Sequence, residues 1–256
     1  MLSTSLRRSL ILCIASIAMC SNSAADEPKK EVQTNGRFTR TIEVKQDLKY
    51  LLFLPKDYDP ERAEGWPMIL FLHGAGERGN DLSRVKVHGP PKQAETDRDF
   101  PFVLVSPQCP EGKTWDVSEL NGLLDQAITE HNIDTNRIYL TGLSMGGYGT
   151  WSLGIANPER FAAIVPICGG GERLSILLAD EAKKVILMKL PVWAFHGGKD
   201  PVVPMEETER MIDALERMGT KNAKLTIHPD AGHDSWTQTY EDPEFYPWLL
   251  KQTRSR

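Results

Sequence analysis

Arg137-Ile138-Tyr139-Leu140-Thr141-Gly142-Leu143-Ser144-Met145-Gly146-Gly147 is the stretch whose reading decides the fold. Arg137 to Leu140 reads as a short buried strand, and Tyr148, Trp151 and Ile155 then recur at helical spacing. Ser144 is therefore expected on a strand-to-helix turn. Gly142 and Gly146 match the G-x-S-x-G pattern, in which a missing side chain lets strand and helix approach closely enough to tighten the turn. Such a turn lifts the serine hydroxyl clear of the backbone. It also aims the unpaired N–H groups of a helix start at the space above that hydroxyl, where a negative oxygen would be stabilised.

The segments on either side of this turn extend the pattern. Met68 to Leu72 and Phe102 to Val105 are apolar without alternation, as expected of strands covered on both faces. Ala162 to Ile167, Pro191 to Phe195 and Lys224 to His228 read as further strands. Ser118 to Asn132 is an amphipathic helix with Leu120, Leu123, Leu124, Ala127 and Ile128 inward. Pro204 to Met218 is a second helix, with Glu206 and Glu207 in the first turn and Gly219 available to cap its end. Arg173 to Met188 is the candidate crossover helix before Pro191, and Pro243 to Gln252 a terminal one. Strands alternate with helices from Met68 onward, which predicts an α/β fold: a mostly parallel central sheet with helices on both faces and a ligand site at the carboxyl ends of the strands. Near the start, Phe38 to Val44 and Leu48 to Leu54 read as two antiparallel strands joined at Lys45-Gln46-Asp47, forming the outer edge of the sheet.

Residues 1–25 have the features of a signal peptide. Arg7 and Arg8 precede the apolar Leu10 to Met19, and the small residues Ser21, Ser23, Ala24 and Ala25 follow. An apolar run this short is unsuited to spanning a bilayer, which takes about 20 residues. Cleavage is expected at or one residue before Ala25, giving a secreted or periplasmic protein without stable membrane insertion. Residues 26–36 are polar and form a flexible lead-in, and 37–256 form a single catalytic domain. The formal net charge of −5 becomes more negative once Arg7 and Arg8 leave, so nothing recruits nucleic acid. Export permits a disulfide between Cys109 and Cys168, yet each follows an apolar run, and two buried thiols are an equal reading.

The distinctive polar residues all fall just after strands, and hence on one rim. Ser144 follows one strand, Asp200 another, and His233 lies beyond the last. A serine hydroxyl is too weak an acid to attack an ester unaided. His233 would take its proton and pass it to the leaving group, and Asp200 would orient the imidazole and stabilise its cation. Asp234 is the rival for the acid, hampered by adjacency to His233. His73 and His196 each precede a glycine at a strand end and read as structural, whereas His88, His131 and His228 carry no motif. The backbone N–H groups of Ala75 and Met145 are the expected oxyanion donors. Glu77, Trp115 and Trp236 are candidates for the substrate pocket, although for Glu77 and its neighbour Arg78 a solvated reading is favoured. No paired spacing suits a zinc site, and no phosphate loop or dinucleotide fingerprint is present, so no metal or cofactor is expected.

Four motifs together carry a family resemblance: His73-Gly74-Ala75-Gly76-Glu77-Arg78-Gly79, Gly142-Leu143-Ser144-Met145-Gly146-Gly147, His196-Gly197-Gly198-Lys199-Asp200-Pro201-Val202-Val203-Pro204 and Gly232-His233-Asp234-Ser235-Trp236. From about Phe38 to Leu250 the chain resembles the phospholipase/carboxylesterase and dienelactone-hydrolase-like branch of α/β-hydrolases. Within that branch it is most similar to secreted bacterial proteins labelled predicted peptidases or polyhydroxybutyrate-depolymerase-like esterases. Dienelactone hydrolases use cysteine where this chain has Ser144. The resemblance implies carboxylester hydrolysis through Ser144, Asp200 and His233, with Ala75 and Met145 as oxyanion donors. The expected partner is a small-molecule ester, with carbohydrate-linked and aromatic esters both compatible, and the oligomeric state is left open. A prolyl-oligopeptidase-like serine peptidase shares the triad but usually adds a gating domain. A polymer-binding protein with a relic triad is the alternative from outside enzymes.

Overall fold

A computed structural model describes residue 33 and residues 35–254. The signal-peptide reading and most of the lead-in lie outside the described residues. The chain divides into Met1–Val44 and Lys45–Arg256, and among the described residues every helix and strand falls in the second unit.

That unit is built on seven strands in the order β1-β3-β2-β4-β5-β6-β7. They are β1 (Tyr50–Phe53), β2 (Trp66–Leu72), β3 (Val103–Pro107), β4 (Ile133–Leu143), β5 (Ala163–Ile167), β6 (Val192–Gly197) and β7 (Ala223–His228). Only β1 runs antiparallel, pairing Leu52 with Val105 at the sheet edge. From there the registers are parallel, with Leu70 opposite Leu140, Leu140 opposite Ile164, and Ile164 opposite Val192. The helices are α1 (Gly89–Ala94), α2 (Val117–Glu130), α3 (Met145–Ala156), α4 (Leu174–Leu177), α5 (Glu181–Lys189), α6 (Glu206–Met218), α7 (Trp236–Tyr240) and α8 (Phe245–Leu250).

Strand residues alternate between two cores. Met68, Leu70, Leu72, Leu140 and Ile164 pack with Leu120 and Leu124 of α2, Trp151 of α3, and Met211 and Leu215 of α6. Ile69, Phe71, Tyr139 and Val165 face the opposite side, against Tyr240, Phe245 and Leu249. Both faces are therefore dry, which is why the central strands read as unbroken apolar runs. Each fully buried Leu, Ile or Phe contributes about 1.5–3 kcal/mol relative to exposure. Asp116 caps α2 by accepting from the Glu119 N–H at 2.9 Å. Gly219 ends α6 in the left-handed region at φ 107°, as its position after Met218 suggested.

The structure corrects three expectations. Phe38 to Val44 forms no strand, and β1 begins only at Tyr50. A four-residue edge strand offers few ladder bonds to a hairpin partner, so the alternation in Phe38-Thr39-Arg40-Thr41-Ile42 is not enough to order one. The crossover expected over Arg173 to Met188 is two helices, because Asp180 accepts from the Lys183 N–H and starts α5 afresh. Tyr148 does not share the buried face of Trp151 and Ile155. It stays 37% exposed on the rim of a cavity. The connection from β5 to β6 holds only α4 and α5, with no large lid.

Candidate active site

Ser144 sits between β4 and α3 at φ 53° and ψ −117°, a conformation that a non-glycine residue adopts only under constraint. The constraint comes from the backbone. A Cβ on Gly142 would lie 2.5 Å from the Gly146 carbonyl oxygen, and one on Gly146 would overlap the carbonyl oxygen of Leu72. β2, β4 and α3 thus converge where no side chain fits. The Ser144 N–H is tied to the Ile167 carbonyl of β5 at 2.9 Å, which fixes the turn.

Asp200 and His233 reach the serine from loops after β6 and β7. Those loops are stitched together: Gly198 N–H donates to His228 O and Lys199 N–H to Ala231 O, both at 2.9 Å. Asp200 Oδ1 accepts from the N–H groups of Val202 at 2.8 Å and Val203 at 3.0 Å, leaving Oδ2 for His233 Nδ1 at 2.7 Å. The other imidazole nitrogen, Nε2, is 2.9 Å from Ser144 Oγ. Burial by itself would raise the Asp200 pKa. The hydrogen bond from His233 and those from the Val203 and Val202 amides outweigh it and hold the carboxyl below the ordinary aspartate range. Asp234 points elsewhere, its Oδ1 accepting from the Thr237 N–H at 3.2 Å and from Thr237 Oγ1 at 2.8 Å at the start of α7.

The strand-end histidines are structural, as their positions suggested. His73 Nδ1 meets the carbonyl of Gly74 at 2.6 Å, and its Nε2 accepts from the Cys109 N–H at 3.0 Å. A carbonyl can only accept and an amide N–H only donate, so the proton is on Nδ1 and the ring is neutral. Burial lowers the His73 pKa in the same sense. His196 is fully buried, with Nε2 2.9 Å from Val203 O and 3.3 Å from Asp200 Oδ2.

Of the pocket candidates Glu77, Trp115 and Trp236, Trp115 alone lines a cavity with Ser144. Trp115 donates from Nε1 to His73 O at 3.1 Å and, with Ser144, Met145 and Tyr148, lines an open cavity of about 410 Å³. Trp236 stands edge-on to His233, ring centroids 5.2 Å apart. The Ala75 N–H opens a 3-10 turn (Ala75–Glu77) and the Met145 N–H opens α3, neither with a side-chain cap. Glu77 departs from the solvated reading. Its side chain is only 14% exposed, and Oε2 is buried without a hydrogen-bond donor. The turn of the 3-10 helix carries the carboxyl inward, while Arg78 reaches away to Ala75 O and Lys113 O.

Cys168 reads in the sequence as a buried thiol or as half of a disulfide with Cys109, yet its sulfur lies within 4.8 Å of the Asp200 and His233 ligand atoms. Its place directly after β5 is the signal that puts it on the rim. Burial pushes its thiol up to about 12, so it stays protonated at neutral pH. Cys109 and Cys168 are both buried and free.

Residues 100–244 match the family described as Phospholipase/Carboxylesterase. The chain belongs to this family. As an α/β-hydrolase it is 31% identical, over 71% of its length, to the bifunctional acetylxylan esterase/xylanase of Neocallimastix patriciarum, of which it spans only 26%. It is 25% identical to the poly(3-hydroxyoctanoate) depolymerase of Pseudomonas fluorescens, covering 67% of this chain and 69% of that one. Among solved structures, a thermostable esterase superposes with a TM-score of 0.65 at 35% identity, covering 81% of this hydrolase and 60% of that chain. A ferulic acid esterase shares the fold at 16% identity, with a TM-score of 0.61 over 78% of this chain and 92% of that one. Among the described residues no helix is long and apolar enough to cross a membrane.

Proposed function

We propose that this hydrolase is an exported serine carboxylesterase that cleaves small, accessible esters through an acyl-enzyme. The observation that carries the reading is the unbroken hydrogen-bond chain from Asp200 Oδ2 through His233 to Ser144 Oγ. In the first half-reaction Ser144 Oγ attacks the ester carbonyl carbon as its proton passes to His233 Nε2. The carbonyl oxygen, now negative, is held by the Ala75 and Met145 N–H groups. When the C–O bond to the alcohol breaks, His233 returns the proton to the departing oxygen. Water then repeats the sequence on the acyl-enzyme, releasing the acid and restoring Ser144. Loss of one oxyanion donor typically costs about 10²–10³-fold in turnover.

The cavity beside Ser144 suits the acyl group, with Trp115 and Tyr148 as its aromatic walls. Names among the relatives and fold neighbours, acetylxylan esterase and ferulic acid esterase, place acetyl and aromatic acyl groups among the esters to test. The export reading rests on Arg7, Arg8 and the apolar Leu10 to Met19.

Labelling with a fluorophosphonate probe tests the nucleophile, with adduct expected on Ser144 alone. A panel of nitrophenyl esters graded by chain length, beside feruloyl, acetylated-sugar and peptide substrates, then tests the reaction. Turnover of peptides in preference to every ester would replace the esterase reading with a peptidase.

A further inference from the structure

We propose that Glu77 and His88 form a hydroxyl-recognition subsite for the alcohol half of the ester, so that this hydrolase favours esters of polyhydroxy alcohols. The inference rests on the reading of Ser144 and His233 given above, because it places the leaving group against His233. That group must lie where His233 can protonate it, and the ring on that side is Trp236, 5.2 Å from His233 between centroids. Trp236 in turn meets the ring of His88 edge-on at 5.4 Å. His88, which carries no sequence motif, is thus one aromatic ring removed from the catalytic centre.

Glu77 closes the same circle from the oxyanion loop. A methyl group built on Gly74 would touch both Glu77 Oε2, at 3.2 Å, and Ser144 Cβ, at 3.6 Å. The carboxylate is therefore about one methyl group away from the serine. Oε2 is sealed and receives no donor from the protein. It faces His73 Nδ1 at 3.9 Å and is closed to any substrate group, so a ligand can meet this carboxylate only at Oε1. Its second oxygen, Oε1, faces His88 Nε2 across 3.9 Å, with the His88 side chain 30% exposed. That separation is too long for a direct hydrogen bond and right for one oxygen bridging the two at about 2.8 Å each. A bridging alcohol oxygen donates to Oε1 and accepts from a protonated Nε2, which fixes a hydroxyl rather than a carbonyl or a methyl.

Beyond His88 opens a second cavity, of about 520 Å³, between α1 and the α7–α8 segment. Lys92, Gln93, Thr96, Thr237 and Glu241 line it, offering donors and acceptors to further hydroxyls.

The test compares 2-hydroxyethyl butyrate with propyl butyrate, which differ only in OH for CH₃ at the far end of the alcohol. Each kcat/KM is divided by the ester's rate of hydroxide hydrolysis to remove intrinsic reactivity. We expect wild type to prefer the hydroxyethyl ester about tenfold or more, the usual effect of a hydrogen bond to a charged group. Glu77→Met and His88→Leu should each bring the ratio toward one. Equal normalised rates in wild type, or a preference that survives in both variants, would overturn the subsite and leave the esterase reading standing. If wild type hydrolyses neither ester, both fall. Should Glu77→Met fail to fold, the wild-type ratio and His88→Leu decide.

Discussion

Ser144 Oγ and His233 Nε2 lie 2.9 Å apart although 89 residues separate them in the chain. The Ser144 side is held by the crowding of backbones around Gly142 and Gly146, and the His233 side by backbone hydrogen bonds between the loops after β6 and β7. Neither residue depends on the other for its place. Ser144→Ala is therefore expected to fold normally and to lose ester turnover by about 10³-fold or more. Circular dichroism and nitrophenyl-ester kinetics on the purified variant check both halves, and a tenth of wild-type activity in folded protein would refute the nucleophile.

The two neighbouring acids should separate cleanly. Asp200→Asn removes the charge that faces His233 Nδ1 and should lower kcat about 10²-fold or more. Asp234→Asn keeps an Oδ1 that can accept from Thr237 at the start of α7, so its kcat should stay within about threefold of wild type. The reverse ranking would move the acid to Asp234.

The depressed pKa of Asp200 also has a consequence for stability. A carboxyl with a lower pKa folded than unfolded stabilises the fold fully above its unfolded value, about 3.9, and loses that contribution as pH falls through the folded value. Wild type should thus exceed Asp200→Asn in urea midpoint at pH 7, and the gap should narrow below about pH 4. A gap unchanged from pH 7 to pH 3 would show that the carboxylate charge contributes nothing.

Both described cysteines should resist reagents in the native protein. Burial raises the thiol pKa of Cys109, and pushes that of Cys168 up to about 12, so little thiolate is present to react at pH 8. Iodoacetamide followed by peptide mapping should find these two residues unmodified in native protein and modified in urea. Rapid native alkylation of Cys168 would contradict its packing beside the triad.

With only α4 and α5 between β5 and β6, no covering domain needs to open at a lipid surface. Rate should rise smoothly with short-chain ester concentration through the solubility limit. A sharp increase as droplets form would reveal a closing element elsewhere in the chain.

Order along the chain was legible because its causes are local. Unbroken apolar runs announce strands covered on both faces, as in Met68 to Leu72. Helical spacing marked α2, first-turn acids and Gly219 marked the two ends of α6, and paired glycines around a serine marked a turn too tight for side chains. Ser144, Asp200 and His233 could be named because strand ends in a parallel sheet share a rim. What the sequence could not decide depends on contacts between distant segments. The alternation in Phe38 to Val44 fits a strand, but whether it forms one depends on a partner edge. Glu77 reads as a surface acid, and only the turn that follows β2 carries its carboxyl to the neighbourhood of Gly74 and His88. His88 has no motif because its relation to His233 runs through the ring of Trp236, and Cys168 none because its neighbours come from other strands. Periodicity and turn chemistry act over a few residues and survive in one dimension, whereas burial of a charge and the spacing of a carboxylate and an imidazole exist only once the sheet has brought its loops together.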